Sequence, residues 1–219
     1  MTQPAARCLL LLAASFAAWQ PSKARAADED SQFWLNTVAT GKIGDGTTLT
    51  LDASQRWRSA REVGADQQTI RIAIDEQVGE NTRIGGGVML VEAAGLTELR
   101  THQQASFTLG RIEARTRLEQ RFFDGADRME LRLRQRVQYG QPLAKDWRAT
   151  AGVEWLGLLQ GRRSGQGAST EQWRMQASLI HRLSKNLDVG AIYWLVIFPR
   201  GARPAKTSHI PQAAITYRF

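Results

Sequence analysis

The sequence predicts an all-β fold: a transmembrane, antiparallel, up-and-down β-barrel. Three observations predict it: an apolar run near the N-terminus, strand-like segments of about eleven residues with one apolar and one charged face, and an apolar stripe that ends the chain in "ITYRF". A transmembrane barrel strand needs about 9 to 11 residues, apolar toward lipid and polar toward the lumen. Soluble sandwiches and lipocalin-like barrels also have two-faced strands, with the apolar face inward. The segment length, the export signal and the terminal stripe favour the membrane barrel.

The first 26 residues have the features of a secretory signal peptide. Arg7 precedes an eleven-residue apolar run from Cys8 to Ala18, and "ARA" at 24–26 suits a cleavage site. A helix needs roughly 20 apolar residues to span a bilayer, so the run is too short to be a membrane anchor. We therefore predict a cleaved signal over 1–26 and a single barrel domain over 27–219. Cys8 is the only cysteine, so the mature domain forms no disulfide.

The formal net charge of +8 suggests a nucleic-acid partner at first sight. Two features argue against it. The chain carries an export signal, and its arginines are spread along strand-like segments instead of clustering in one arm or helix. We expect no nucleic-acid partner.

The segment "RMELRLRQRVQY" shows the strand period most clearly. Met129, Leu131, Leu133, Val137 and Tyr139 occupy odd positions, whereas arginine, glutamate and glutamine occupy the even ones. The segments "RIEARTRLEQRF", "QTIRIAID" and "QWRMQASLIHRL" repeat this alternation. A period of two predicts strands, because a helix would scatter the same residues around its axis.

Strand-like segments of this kind follow one another along the mature chain. They cover residues 33–43, 47–57, 67–78, 82–92, 100–109, 111–121, 128–139, 147–158, 172–183, 187–198 and 208–219. A chain that begins and ends in the periplasm needs an even number of strands. The prediction is therefore 10–12 strands: ten if the first segment is not a wall strand, and twelve, which we prefer, if a short strand precedes it.

The connections alternate in length, as expected for short periplasmic turns and longer outer loops. Short turns are predicted at 44–46, 79–81, 109–111, 141–146 and 184–186, and longer links at 58–66, 93–99, 122–127, 159–171 and 199–207. Aromatic residues would form a girdle at each rim. The lower girdle is predicted to contain Tyr139, Trp147, Tyr217 and Phe219, and the upper one Trp57, Phe122, Phe123, Trp173 and Phe198.

The charged faces of two consecutive segments predict an arginine-rich network in the lumen. Its candidate members are Arg111, Glu113, Arg115, Arg117, Glu119, Arg121, Arg128, Glu130, Arg132, Arg134 and Arg136, with Asp52, Arg56, Arg71, Asp75, Glu154, Arg174 and Arg182 as plausible additions. Guanidinium groups would pair with carboxylates and fill the interior. If the network closes the lumen, the protein is a structural or interaction barrel, which we prefer because narrow barrels are usually filled by side chains. If a gap remains, the arginine excess makes a narrow anion-selective pore.

A lipid-modifying outer-membrane hydrolase is the second alternative. Such an enzyme needs a serine and a histidine within reach of each other. Ser208 and His209 are adjacent, so they point to opposite faces of a strand, and His102 and Ser106 lie roughly 13 Å apart along one. His181 has no acidic partner nearby in the sequence. We predict no enzymatic activity, no metal and no cofactor.

Several segments resemble a known family: "ELRTHQQ", "RTRLEQRF", "LRLRQRVQY" followed by "PL", "QWRMQASLIHRLSKNLDVGAIYW" and the closing "ITYRF". They are similar to the family catalogued as domain of unknown function 2490, the bacterial outer-membrane barrels. The resemblance implies an outer-membrane location in a Gram-negative cell and no established activity. It also implies that Ile215, Tyr217 and Phe219 match the insertion signal read by the barrel-assembly machinery, although Ala213 stands where glycine is frequent. The expected partners are this machinery, outer-membrane lipid and lipopolysaccharide. The oligomeric state stays open.

Overall fold

The computed structural model describes residues 28–58 and 66–219, which form a single β-sheet closed into a barrel. The predicted signal peptide, 1–26, lies outside the described residues. Among the described residues no helix is long and apolar enough to cross a membrane. The strands are β1 (Asp28–Ser31), β2 (Phe33–Lys42), β3 (Thr47–Trp57), β4 (Gln67–Gln77), β5 (Thr82–Ala93), β6 (Leu96–Leu109), β7 (Ile112–Phe123), β8 (Glu130–Ala144), β9 (Trp147–Gln160), β10 (Ser169–Arg182), β11 (Leu187–Arg200) and β12 (Arg203–Arg218).

The barrel closes with a parallel pair of strands. From β2 to β12 each strand pairs antiparallel with the next, and β12 then pairs in parallel with β2, with Gln212 opposite Trp34. Strand β1 pairs in parallel with the earlier part of β12, with Ser31 opposite His209. Since only Gln32 separates β1 from β2, the two together form one wall strand. Within residues 28–58 and 66–219 the wall therefore has eleven strands.

The predicted all-β barrel of 10–12 strands is confirmed, and a short strand does precede the first predicted segment. The argument for an even number was wrong. Because β1 and β2 run parallel to β12, the first wall strand starts at the rim opposite the one where β12 ends. A parallel closing pair fits an odd number of strands, which an entirely antiparallel barrel does not.

The two rims differ in the length of their connections. The turn rim, at residues 43–46, 78–81, 110–111, 145–146 and 183–186, has short turns, as predicted. At the opposite loop rim, 124–129 and 161–168 are longer loops, and the predicted link over 58–66 lies mostly outside the described residues. The long links predicted at 93–99 and 199–207 are wrong. Each is a two-residue turn, 94–95 and 201–202, in which Gly95 and Gly201 take positive φ angles of 73° and 63°.

The polar residues lie inside the barrel and the apolar ones outside. Ile70, Ile72 and Ile74 on the outer face of β4 are 69%, 48% and 48% exposed. On the lumen face Glu119 and Glu154 are 1% and 2% exposed. This arrangement is the reverse of a water-soluble barrel and is typical of a wall that faces lipid.

The girdle residues predicted for the turn rim are all exposed on the outer wall: Tyr139, Trp147, Tyr217 and Phe219. At the loop rim Trp57, Phe122 and Trp173 are exposed as well. Phe123 and Phe198 were wrongly placed in this girdle. Phe198 lines the lumen, and Phe123 packs against the guanidinium groups of Arg121 and Arg162 at 4.8 and 4.7 Å.

The C-terminal residue takes part in barrel closure. The backbone N–H of Phe219 donates a hydrogen bond to the carbonyl oxygen of Thr40 at 3.1 Å. The ring lies against Gly41, where an added Cβ atom would come within 2.5 Å of Phe219 Cδ2. Glycine at position 41 therefore lets the chain end pack on the first wall strand.

Candidate functional site: the lumen

A loop-side cavity and a turn-side cavity lie along the part of the lumen that the structure describes. The loop-side cavity has a volume of about 550 Å³ and is lined by residues from β2 to β12, and the turn-side cavity has about 200 Å³. Four arginines line both cavities: Arg71, Arg115, Arg117 and Arg136. We call these four residues the arginine waist. They lie where the linings of the two cavities overlap.

The loop-side cavity has a strongly positive lining. Among the described residues it is lined by twelve arginines and Lys206, but by only two carboxylates, those of Asp52 and Glu154. Carboxylates behind the lining offset part of this charge. The side chains that a solute would contact nevertheless carry a net positive charge, which favours anions.

A buried ion-pair network occupies the wall formed by β7, β8 and β9. The guanidinium of Arg134 donates to Glu119 Oε1 at 2.8 Å and to Glu154 Oε2 at 2.8 Å. Arg132 Nε donates to Glu119 Oε2 at 2.8 Å, and Arg115 Nη2 donates to Glu154 Oε1 at 3.0 Å. Two glutamates thus hold three arginines through charge-assisted bonds, which fixes the guanidinium planes.

A second group of ion pairs lies closer to the loop rim. Glu98 Oε1 accepts from Arg100 Nε at 2.8 Å and from Arg121 Nε at 2.7 Å, and Arg121 also pairs with Glu130. Glu171 on β10 approaches Arg132 at 3.4 Å and so connects this group with the network around Glu119. The ion pairs therefore run as one continuous band along β6 to β10.

Several arginines have weaker or neutral partners. Arg56 Nη1 donates to Gln67 Oε1 at 3.3 Å, and its guanidinium lies 4.1 Å from the centre of the Trp34 ring. Arg117 donates twice to Gln104 Oε1, at 3.0 and 2.7 Å, and its closest carboxylate is Glu119 at 3.8 Å. The buried Nε atoms of Arg56, Arg71, Arg115 and Arg136 have no hydrogen-bond partner among the described residues. Arg56 and Arg117, which donate to neutral amides, therefore keep positive charge that no hydrogen-bonded carboxylate offsets among the described residues.

The opposite wall of the loop-side cavity is largely apolar. Trp34, Val196 and Ile210 form a buried cluster, against which Trp194 and Phe198 pack. The rings of Trp34 and Trp194 lie 6.3 Å apart. The lumen is therefore two-sided, with most of its arginines on β6 to β10 and an aromatic and aliphatic cluster on β2, β11 and β12.

Most of the predicted network residues face the lumen: Glu113, Arg115, Arg117, Glu119, Arg121, Glu130, Arg132, Arg134 and Arg136. Arg111 and Arg128 do not, and their prediction was wrong. Arg111 lies in the turn before β7 and donates to the hydroxyl of outward-facing Tyr139 at 3.4 Å. Arg128 lies in the loop before β8 and donates to the Gly161 carbonyl at 2.8 Å. Strand alternation does not extend past the strand ends, and both residues lie beyond them.

Sequence reasoning missed Glu98, Arg100 and Glu171. The alternation of "ELR" at the start of β6 contained the signal for Glu98 and Arg100, which share the lumen face with His102. No such signal exists for Glu171. The register of β10 with β9 shifts between Thr170 and Gln172, and this irregularity interrupts the regular alternation of the strand at Glu171.

The three histidines are far from one another on the wall. His102 is 2% exposed on the lumen face and lies opposite Glu119 in the register of β6 and β7. His181 stacks on Trp147 near the turn rim, with ring centres 4.3 Å apart. His209 Nδ1 lies 2.5 Å from the Tyr193 hydroxyl, with Ser31 opposite in the parallel register. No group of three metal-ligating side chains occurs in the described part of the chain.

Comparisons with known proteins agree with this architecture. The model of a family of proteins of unknown function, DUF2490, matches residues 31–206. An uncharacterized protein of Methylorubrum extorquens is 30% identical over 141 residues, which are 59% of this chain and 60% of the relative. This chain thus matches less than two thirds of that relative's length.

Solved structures share the fold at low sequence identity. The KdgM porin superposes with a TM-score of 0.51 and 14% identity over 83% of this chain and 89% of the porin. The translocator domain of the autotransporter NalP from Neisseria meningitidis gives 0.56 and 14% over 82% of this chain and 77% of the domain. These similarities concern the barrel fold.

Proposed function

Because the chain belongs to the DUF2490 family and forms a closed barrel with an apolar outer wall, we propose that it is an integral protein of the bacterial outer membrane with a narrow, anion-selective lumen. The arginine waist is the observation that carries this proposal. The signal peptide predicted for 1–26 and the barrel fold shared with outer-membrane porins support the location.

The chemistry of the waist supports selectivity by charge. Arg71 approaches Asp52 at 3.4 Å, whereas Arg117 is held mainly by the neutral Gln104. A small anion that enters from the loop-side cavity would meet guanidinium groups whose positive charge is only partly offset by carboxylates. A cation would meet the same positive surface and be repelled. Selectivity of this kind is familiar from charged rings in pores.

A closed structural or interaction barrel is the second candidate. The band of ion pairs from Glu98 to Glu154 favours it, because these long side chains fill much of one half of the lumen. Side chains commonly fill narrow barrels. In this case the function of the arginines would be to stabilise the barrel wall through their ion pairs.

Single-channel conductance in planar bilayers distinguishes the two functions. The purified protein is compared with an Arg71→Gln, Arg117→Gln variant, which removes two charges at the waist. The matched control is Arg111→Gln, Arg203→Gln, which removes two charges from exposed rim positions. Reversal potentials in a KCl gradient give the ratio of chloride to potassium permeability.

We expect anion-selective conductance in the wild type, a several-fold loss of selectivity in the waist variant and little change in the control. Cation selectivity in the wild type would contradict the proposal. An absence of conductance from protein that is folded and inserted would establish the closed barrel instead.

We also propose partners for the two rims and no enzymatic activity. Arg162 and Arg163, in the loop between β9 and β10, are exposed and could bind the phosphates of lipopolysaccharide. Ile215, Tyr217 and Phe219 face outward at the other end, 41%, 50% and 52% exposed, as a signal for the barrel-assembly machinery would require.

A further inference from the structure

The outer wall carries a polar patch near the middle of β6, β7 and β8. Thr101 and Gln103 on β6, Thr116 and Gln120 on β7, and Gln135 on β8 all face outward, on the same side of the sheet as their apolar neighbours. We call these five residues the glutamine patch. On the outer faces of β4, β5 and β10 the corresponding central positions hold residues such as Ile72, Val88 and Met175.

Hydrogen bonds join the members of the patch in two groups, one of three residues on β6 and β7 and one of two residues on β7 and β8. Gln120 Nε2 donates to Gln103 Oε1 at 2.9 Å, and Gln103 Nε2 lies 3.4 Å from Gln120 Oε1. Thr101 donates to Gln120 Oε1 at 2.8 Å, and Thr116 donates to Gln135 Oε1 at 2.8 Å. The patch is thus an ordered group of uncharged donors and acceptors.

The patch does not satisfy its own hydrogen-bonding capacity. Each side-chain amide has two N–H donors and an oxygen with two acceptor sites. Gln135 Nε2 forms no hydrogen bond to another residue in the described part of the chain, and Gln103 uses one of its two donors. Hydrocarbon provides no partner for these groups, so exposing them to lipid is costly.

We propose that the glutamine patch is the interface at which two copies of this chain associate in the membrane. The inference rests on the membrane location proposed above, but not on conductance. Amides are both donors and acceptors, so a copy rotated by 180° presents the groups that the first one lacks, as a two-fold interface requires. The patch has no charge that would select a charged partner.

The surroundings of the patch allow two walls to come close. Ala105 lies opposite Thr116, and Ala114 lies opposite Phe107, so two small residues flank the threonine. Small residues at membrane interfaces permit close backbone approach and hydrogen bonding between the partners. Leu118 and Leu133, which also face outward, supply apolar contact around the amides.

Energy transfer between copies in liposomes tests the proposal. A Cys8→Ser, Ser164→Cys chain takes donor or acceptor dyes in the exposed loop 161–168, and transfer is followed over a range of protein-to-lipid ratios. The test variant adds Gln103→Leu and Gln120→Leu. The matched control adds Gln55→Leu and Gln68→Leu, an outward-facing cross-strand pair near the loop rim.

We expect a saturable dimer in the parent chain, a dissociation constant raised about ten-fold or more in the test variant, and a smaller change in the control. No transfer above that of randomly distributed copies, assembly beyond two copies, or equal effects of both variants would overturn the proposal. Heat-modifiable mobility in gels shows whether each variant is folded and inserted.

A cross-link provides a second test on a nearly unaltered surface. In the Cys8→Ser background, Ala105→Cys places one thiol beside Thr116 of the patch, and Ile72→Cys places one on a distant outer face. A two-fold interface predicts a disulfide-linked dimer for the first and not for the second. Conductance is recorded from the same samples. Because each barrel has its own lumen, conductance does not depend on association, so the two proposals can fail independently.

Discussion

Arg134 and Glu154 form the central ion pair of the lumen: Arg134 Nη2 donates to both carboxylate oxygens of Glu154, at 2.9 and 2.8 Å. The same carboxylate accepts from Arg115 at 3.0 Å and lies 3.9 Å from Arg174. The single negative charge of Glu154 is therefore shared by three arginines. The ion pairs of these three arginines depend on Glu154 more than on any single one of the arginines.

Replacing Glu154 with glutamine should destabilise the barrel strongly. The side chain keeps its size but loses the negative charge that three buried arginines share, and breaking a buried pair in this way costs roughly 3 to 5 kcal/mol. Guanidinium unfolding of the protein in lipid vesicles measures the change in the free energy of unfolding.

Glu113→Gln is the matched control for that substitution. The Glu113 side chain is 42% exposed near the turn rim and pairs with a single arginine, Arg136. Its loss should cost about 1 kcal/mol or less, because exposed ion pairs are screened by water. Equal destabilisation by the two substitutions would show that Glu154 has no special role in the network.

Substitution of Phe219 should reduce the amount of inserted barrel. Phe219→Ala removes both the ring that packs on Gly41 and the terminal aromatic of the proposed insertion signal. Gly41→Val leaves the signal intact but removes the space for the ring. The folded fraction in isolated outer membranes, read from heat-modifiable mobility in gels, measures both effects.

The pair of variants separates the two roles of Phe219. If the residue acts only in closure, Gly41→Val and Phe219→Ala should reduce folding alike, both after refolding in detergent and in cells. If it also acts as a signal, Phe219→Ala should have the larger defect in cells. Phe107→Ala, at another exposed aromatic position, is the control and should have little effect.

Arg128 should control the protease sensitivity of the longest described loop. Its guanidinium donates to the carbonyl oxygens of Gly161, Arg163 and Gln166 at 2.8, 3.2 and 3.3 Å. Arg128→Ala removes these three bonds, so trypsin should cleave after Arg162 or Arg163 several-fold faster. Cleavage is followed by mass spectrometry of the released fragments.

The same digestion reports the orientation of the barrel. If the loop rim faces outward, trypsin added to intact cells should cut the variant. Protection in intact cells combined with cleavage after permeabilisation would place the loop rim in the periplasm. Arg203→Ala, which alters an exposed residue at the start of β12, should leave the rate of cleavage in this loop unchanged.

Local alternation predicted which side chains face the lumen on β7 and β8, but it failed at Arg111 and Arg128. Alternation follows from the extended backbone and so holds only inside a strand. Glu171 shows the converse: the residue lies in a strand, yet the irregularity beside it interrupts the alternation. The hairpin turns at Gly95 and Gly201 were harder to place. The strands on either side of them continue beyond the residues that alternate between apolar and polar, so the predicted links were too long.

The sequence by itself determined the fold class, the outward apolar face and the charge of the lumen, because period-two alternation, strand length and composition are local properties of the chain. Tertiary structure decided the rest. The parallel pairing of β2 with β12 joins segments nearly the whole chain apart, and it made the number of wall strands odd. The same closure and its register bring Arg71 of β4 into one waist with Arg115, Arg117 and Arg136 of β7 and β8. Distances across a lumen depend on how the strands are staggered around the ring, which no single segment encodes.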